Sequence, residues 1–559
     1  MKHIKKILAL VLALIMCMAM SVTAFAEDTT YTITINKDTT DKAGHTYAAY
    51  QIFTGKLETV DGKDVLSDIQ WGSGVTGSTV ITELNKIDGF SIPTTATAAD
   101  VAKAISDKAY TVDAVGAQAV ADAINAALTN TTAGTGTIAA NATSGTITGL
   151  VAGYYLVKDQ NAVSGEGAQT RYILEVVKNV SVNEKASVPS VVKKVKEKND
   201  TTNTETAWQD AADYDIGDEV PFKLTGTLPS TFDEYDTYKV YEFIDTLSAG
   251  LTITEAEKSA LTVKVGNQDI TNLFDVTVSS QTLTVSLTNG TDLKATTLKD
   301  KDGVAVTFTK NSQIVVEYKA TLNENATIGT PGNDNKVKLE FTNNPNGEQN
   351  GEKGTTPEDK VVVFTYEIKA LKVEADGSAI DQTAYDELDA TVKADYVKVG
   401  DKWQKTKALS GAGFTLYKKV NDEYVAVGEE IKNTTTFEFK GTDAGEYKLV
   451  ETTVPAGYNK AADIEITVAA TYDTEAVNPQ LKTLTVTPAT AGFTVTTAEV
   501  SGDSTHITSN GIIEGKVLNN KGSFLPTTGG IGTTVFYVLG SVLVVGAAVL
   551  LITKRRMSR

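Results

Sequence analysis

The chain has 559 residues, a formal net charge of −19 and 41% hydrophobic residues, enough for about three domains of ordinary size. The acidic balance argues against nucleic-acid binding, because no basic patch stands out against it. One cysteine and three histidines leave little material for disulfides, thiol chemistry or a metal centre.

At the N-terminus, Lys2, Lys5 and Lys6 precede an apolar segment from Ile7 to Met20, and Ala24-Phe25-Ala26 is a small-x-small cleavage site. Residues 1–26 therefore read as a secretory signal peptide, removed before Glu27. Cys17 and His3 leave with it. His45 and His506 fall in different predicted domains and read as solvated imidazoles, so no metal and no cofactor are expected.

From Glu27 onward, Thr, Val, Tyr and Ile recur in alternating runs broken by Gly, Asn and Asp, which is the pattern of antiparallel sandwiches. The expected fold is all-β, in tandem. A first domain, 27–184, opens with Tyr31-Thr32-Ile33-Thr34-Ile35-Asn36. It carries a helical insertion in which Ala117, Val120, Ala121, Ile124 and Leu128 share a face. It closes with Gly153-Tyr154-Tyr155-Leu156-Val157-Lys158 and Tyr172-Ile173-Leu174-Glu175-Val176-Val177. A second domain spans 185–342, with strands such as Glu219–Leu224 and Gln313–Tyr318. The polar stretch 343–359 reads as a linker. A third domain follows at 360–524, with a helix over Thr383–Val397 and an insertion before Trp403.

Two lysines stand out by register. In Val191-Val192-Lys193-Lys194-Val195 the side chains alternate, so Lys193 shares a face with two valines. Late in the domain, Asn335 shares a face with Val337, Leu339 and Phe341. If these faces form the core, Lys193 is a buried, neutral amine and hence a nucleophile beside the carboxamide of Asn335. Asp245, in Phe243-Ile244-Asp245-Thr246-Leu247, is the candidate proton shuttle for amide exchange with loss of ammonia. Ile368, Ala370 and Lys372 repeat the pattern in the third domain, where Val517 and Asn519 lie on its last strand.

The chain ends with Leu525-Pro526-Thr527-Thr528-Gly529, an uncharged apolar run over 531–553 and the basic tail Lys554-Arg555-Arg556-Met557-Ser558-Arg559. The run is long enough to cross a bilayer, which takes about 20 residues, and the tail fits the positive-inside rule. Pro526 fixes its own φ and biases Leu525 toward extended geometry.

The order of pentapeptide, span and tail resembles the cell-wall sorting signal of Gram-positive surface proteins, which a sortase cleaves. The resemblance implies attack of the sortase cysteine on the Thr528 carbonyl, release of Gly529 onward, and transfer of the acyl group to an amine; the membrane helix is then a tether used only before sorting. Pro189 before Lys193, Asp245-Thr246-Leu247-Ser248-Ala249-Gly250-Leu251, and Asn343-Asn344-Pro345 after Asn335 resemble the isopeptide-forming domains of Gram-positive pilins. Gly445-Glu446-Tyr447-Lys448-Leu449-Val450-Glu451 resembles the E-box of Cna-B-type domains, which places the isopeptide-promoting acid at Glu451 and implies a Lys372–Asn519 bond. Gly411-Ala412-Gly413-Phe414 lacks the glutamate many relatives carry. In the first domain Lys158 stands at the place of Glu451, so no isopeptide bond is expected there. Shaft subunits of this family use a lysine between the first two domains to capture the next subunit, and Lys185 occupies that place, with Asn183-Glu184 and Ala186 departing from the family motif; Lys178 is its nearest rival.

Taken together, the chain resembles a sortase-assembled backbone pilin. This implies immunoglobulin-like sandwiches of Cna-A/Cna-B type and a structural role rather than an enzymatic one. The implied partners are copies of itself, a pilus sortase, tip or basal accessory pilins, and peptidoglycan. A monomeric wall-anchored adhesin binding host matrix or glycans is the alternative reading.

Overall fold

The computed structural model describes residues 29–557 apart from 61–62, 110–113, 161–164, 171–172, 177, 347–352, 488–492, 498–508 and 523–530. The signal peptide, His506 and the pentapeptide Leu525–Gly529 thus lie outside the described residues.

The alternating runs form three β-sandwiches in succession. In the first, strand Tyr31–Asn36 lies between Ser144–Leu150 and, in parallel, Val180–Asn183. This small sheet faces a second one built on the long strand His45–Val60, which pairs with Lys63–Trp71, Gly134–Ile138 and Gly153–Asp159. Three helices, Gly77–Leu84, Ala98–Ala109 and Ala114–Asn125, make the insertion. Val120, Ala121 and Ile124 of the last helix pack with Val80, Leu84 and Val101 over Ile52, Phe53 and Leu156, which is the apolar face its spacing predicts.

The second sandwich sets the sheet Gln268–Asp269, Thr262–Val265, Gln313–Leu322, Glu219–Thr227, Val191–Val195 against another. The facing sheet runs Ala211–Asp213, Asp359–Phe364, Asn333–Thr342, Tyr241–Leu247, Thr282–Leu287, Phe274–Ser279. Here the expected linker 343–359 and the third domain's start at Lys360 need correction. Lys353–Thr355 and Asp359–Phe364 both pair with Asn333–Thr342, so the second sandwich is completed only at Phe364. The physical reason lies in the run Val361-Val362-Val363-Phe364, which is buried on both faces. Val361 and Val363 point into the second core, Val362 and Phe364 into the third, and burying each is worth about 1.5–3 kcal/mol.

In the third sandwich, strand Tyr366–Ala375 pairs in parallel with the last strand, Ser509–Asn519, and antiparallel with Thr436–Thr442 and Lys402–Ala408. The facing sheet is Glu423–Lys432, Gly413–Val420, Gly445–Thr453, Ile464–Tyr472, Leu481–Thr487. The single helix expected over Thr383–Val397 is instead two short ones, Gln382–Asp386 and Ala390–Lys393, followed by strand Tyr396–Val399. Asp381 caps the first, its side chain accepting from Ala384 N at 2.9 Å, and Asp389 stands at the N-cap of the second without a side-chain capping bond. The C-terminal residues Ile531–Met557 form one helix with no charged residue before Lys554. Among the described residues, no helix is long and apolar enough to cross a membrane.

Candidate functional site: buried lysines, acids and asparagines

Strand alternation places Lys193 between the buried Val191 and Val195, and its side chain is fully buried. It reaches across the sandwich to Asp245 on the opposite sheet, with Nζ at 2.6 and 2.7 Å from the two carboxylate oxygens. Phe222 and Tyr318 flank the amine at 5.0 and 5.3 Å from their ring centres. Burial pulls the Lys193 amine down to about 8, against the opposing charge of Asp245. Burial also raises the Asp245 carboxyl above its ordinary range. Both directions favour the uncharged pair, a neutral amine beside a protonated acid, because a dry sandwich disfavours each ion.

Asn335 is fully buried one strand away, opposite Leu247 in the register that pairs Asp245 with Val337. The link between it and the amine runs through Tyr318, which sequence reasoning missed. The Tyr318 hydroxyl donates to Asp245, accepts from Lys193 Nζ at 3.0 Å and accepts from Asn335 Nδ2 at 2.8 Å. Asn335 Oδ1 has no hydrogen-bond partner, so its carbonyl is open to a proton donor. The available signal was a tyrosine hydroxyl on the inward face of Gln313–Leu322, otherwise Ile314, Val316, Ala320 and Leu322.

The third sandwich brings the predicted residues into direct contact. Lys372, Glu451 and Asn519 are 0%, 1% and 2% exposed. Lys372 Nζ donates to Asn519 Oδ1 and lies 3.1 Å from Glu451 Oε1, while Asn519 Nδ2 donates to the same carboxylate at 2.9 Å. Phe414 covers the amine at 5.5 Å. Burial lowers the Lys372 pKa from its ordinary value. Lys372 and Asn519 lie on neighbouring parallel strands, with the glutamate supplied by the opposite sheet. In the second sandwich the amine and the amide instead sit on opposite sheets.

The first sandwich corrects two expectations. Aligned on Gly153 and Gly445, each the first residue of its strand, the position of Glu451 is taken by Asp159, not Lys158. Lys158 turns outward to Asn125 Oδ1 at 3.2 Å. His45 is no solvated imidazole: it is 3% exposed, with Nδ1 at 2.7 Å from Asp159 and Nε2 at 3.2 Å from Asp41. Burial alone would lower its pKa, but hydrogen bonds and charge from Asp159 and Asp41 outweigh it and raise the imidazole to about 9. The acid at the E-box position thus holds an imidazolium rather than an amine.

Residues 216–345 match the family described as Gram-positive pilin backbone subunit 2, Cna-B-like domain, residues 395–480 a prealbumin-like fold domain, and residues 518–558 the LPXTG cell wall anchor motif. The trypsin-resistant surface T6 protein of Streptococcus pyogenes serotype M6 is 26% identical over 424 residues, covering 66% of this chain and 70% of the relative. This chain is a Gram-positive backbone pilin. Among solved structures it is similar to the T6 backbone pilin of serotype M6 S. pyogenes (18% identity, 89% of this chain and 100% of that one, TM-score 0.48). It is also similar to the full-length major pilin SpaD of Corynebacterium diphtheriae (15%, 89% and 99%, TM-score 0.42). The pilin is a structural subunit covalently anchored to the cell wall, and the anchor match implies a membrane-spanning region at its C-terminus.

Two further features of the pilin concern its junctions. Between the first and second sandwiches, Glu184, Ala186, Ser187, Val188 and Pro189 are buried while Lys185 is exposed. Glu184 accepts from Asp38 N at 2.6 Å and from the Tyr47 hydroxyl at 2.9 Å. Lys185 N donates to Thr170 Oγ1 at 2.7 Å, and Val188 N to Thr40 Oγ1 at 3.0 Å. Between the second and third sandwiches, Lys418 Nζ is held by Asp200, Asp215 and Asp443 at 3.0, 2.6 and 2.8 Å. Burial opposes that ammonium, but the charges of Asp443 and Asp215 raise its pKa, so this buried lysine, unlike Lys193 and Lys372, is held as an ion. Gly441, at φ 79°, lets Ile216 pack where a Cβ would stand 2.4 Å away.

Proposed function

We propose that this pilin is the repeating shaft subunit of a pilus, polymerised by a sortase that joins Thr528 of one copy to Lys185 of the next. Sortase cysteine attack on the Thr528 carbonyl expels Gly529 onward as a free amine and leaves a thioester. The Lys185 amine then displaces the cysteine, forming an amide. Head-to-tail repetition of this heterologous contact gives an open filament. The subunit is thus the substrate of another enzyme and a structural monomer itself; accessory tip or basal pilins and finally peptidoglycan terminate the polymer. The observation that carries the reading is Lys185, the one exposed side chain in the run 184–189, which is pinned to the first sandwich through Glu184 and Val188 and to the second through Ser187 and Thr231.

Within each subunit, Lys193 bonds to Asn335 and Lys372 to Asn519. Nζ attacks the side-chain carbonyl carbon, the acid protonates the departing nitrogen, and ammonia leaves. Asp245 and Glu451 are those acids, each turning over once.

Cell-wall extracts boiled in detergent test the polymer. The wild type should give a ladder of high-mass species that Lys185→Ala abolishes, and a ladder that survives this substitution refutes the assignment.

A further inference from the structure

An amine that attacks a thioester must first lose a proton, and Lys185 meets its acyl donor on the surface, where the ammonium is the ordinary state. A base that travels with the lysine would keep its place whatever enzyme brings the acyl group. One carboxylate is placed to do so: Glu234 Oε2 lies 3.2 Å from Lys185 Nζ. It ends the short turn Phe232–Glu234, which is bolted to the lysine's own segment. The Ser187 and Thr231 hydroxyls are 3.0 Å apart, Thr231 N donates to Ser187 Oγ at 3.2 Å, and Glu234 N donates to Thr231 O at 2.8 Å. Phe232 is buried, with Lys294 Nζ 4.7 Å from its ring centre and donating to Phe232 O at 3.1 Å. Amine and carboxylate therefore sit on two segments fastened together close to each of them, while both side chains keep an exposed face, 51% and 33%, for the approaching acyl-enzyme.

The geometry points to Glu234 as the general base of polymerisation, taking the proton from Lys185 Nζ so that its lone pair attacks the acyl-sortase carbonyl. This rests on Lys185 being the acceptor. The C–N bond forms and the C–S bond breaks. One ammonium proton passes to Glu234 and then to water, and the second, lost from the tetrahedral adduct, goes to the leaving thiolate. An exposed ion pair with no catalytic part would add at most about 1 kcal/mol to stability and leave the rate alone.

The test is a pulse-chase of monomer into polymer in cells that display the full chain with its own sortase, at external pH 6 and 8.5, comparing wild type, Glu234→Gln, Glu234→Asp and Lys185→Ala. Glu234→Gln should slow conversion at pH 6 by about 10-fold or more, at the low side of general-base effects. The deficit should shrink at pH 8.5, where more of the amine is free without help, and Glu234→Asp should recover most of the rate. Unchanged conversion in Glu234→Gln, or an equal slowing at both pH values, overturns the inference while leaving Lys185 as acceptor. Polymer formation by Lys185→Ala overturns the acceptor itself.

Discussion

Glu451→Ala is the sharpest perturbation of the third sandwich. The amine and the carboxamide stay in place, but the carboxylate that touches both Lys372 and Asn519, the only one to do so among the described residues, is gone, so ammonia cannot be expelled and the cross-link should not form. That bond would close a loop spanning 147 positions between Lys372 and Asn519. Restricting the unfolded chain by a loop of this size is worth about 5 kcal/mol, and for a domain of this length that corresponds to about 10–20 °C in Tm. Intact mass and calorimetry of the secreted region 27–524 read the two consequences together. The wild type should weigh about 34 Da less than its sequence and the variant about 17 Da less, one ammonia per bond. The variant's third-domain transition should fall by the stated amount. A wild type at its full sequence mass, or a variant still lighter by two ammonia molecules, would refute the reasoning.

In the second sandwich, Asp245→Asn should add back about 17 Da for the same reason, whereas Tyr318→Phe keeps the acid and should slow bond formation, read as a mixture of masses in freshly made protein. The first domain alone should show its full sequence mass, since Asp159 is engaged by His45; a deficit of one ammonia would contradict this. Its stability should fall as pH rises. His45 is raised to about 9, so its contribution of about 3 kcal/mol is complete below about 6.5 and is lost as pH passes through 9. Glu184, raised to about 7 by burial, loses its contribution in the same direction between about 4.5 and 7. Chemical denaturation at pH 6 and 9.5 checks both, and equal midpoints would refute them. Lys418→Met removes the charge that three aspartates share and should cost about 3–5 kcal/mol, seen in calorimetry as separate melting of the second and third sandwiches; a single unshifted transition would refute it.

Much of the fold and of the buried sites was legible because strands repeat every two residues. Lys193 among valines, Asn335 ahead of Val337 and Leu339, and Asn519 after Val517 declare their faces without any knowledge of topology. What alternation cannot give is the distance between sheets. Tyr318 joins the Lys193 site because its ring is long enough to carry a hydroxyl across to the facing sheet. His45 hides for a related reason: its two carboxylates come from a loop and a neighbouring strand, 4 and 114 positions away. The misplaced boundary at 343–359 has another cause. A strand shared by two cores is apolar on both sides, so Val361–Phe364 reads as the start of one domain when it also finishes the other.

That shared strand also sets an order of events for a chain exported from its N-terminus. Lys193 N is held by the Asp359 carboxylate at 2.7 Å, and Asn335 pairs with Val361, so the reactive pair of the second sandwich is not fully framed when its own sequence has emerged at Thr342. Export must deliver the entry to the following sandwich first. The amide of the middle sandwich should therefore mature late, nearly together with the docking of its neighbour, and a subunit truncated at residue 342 should be slow to close it.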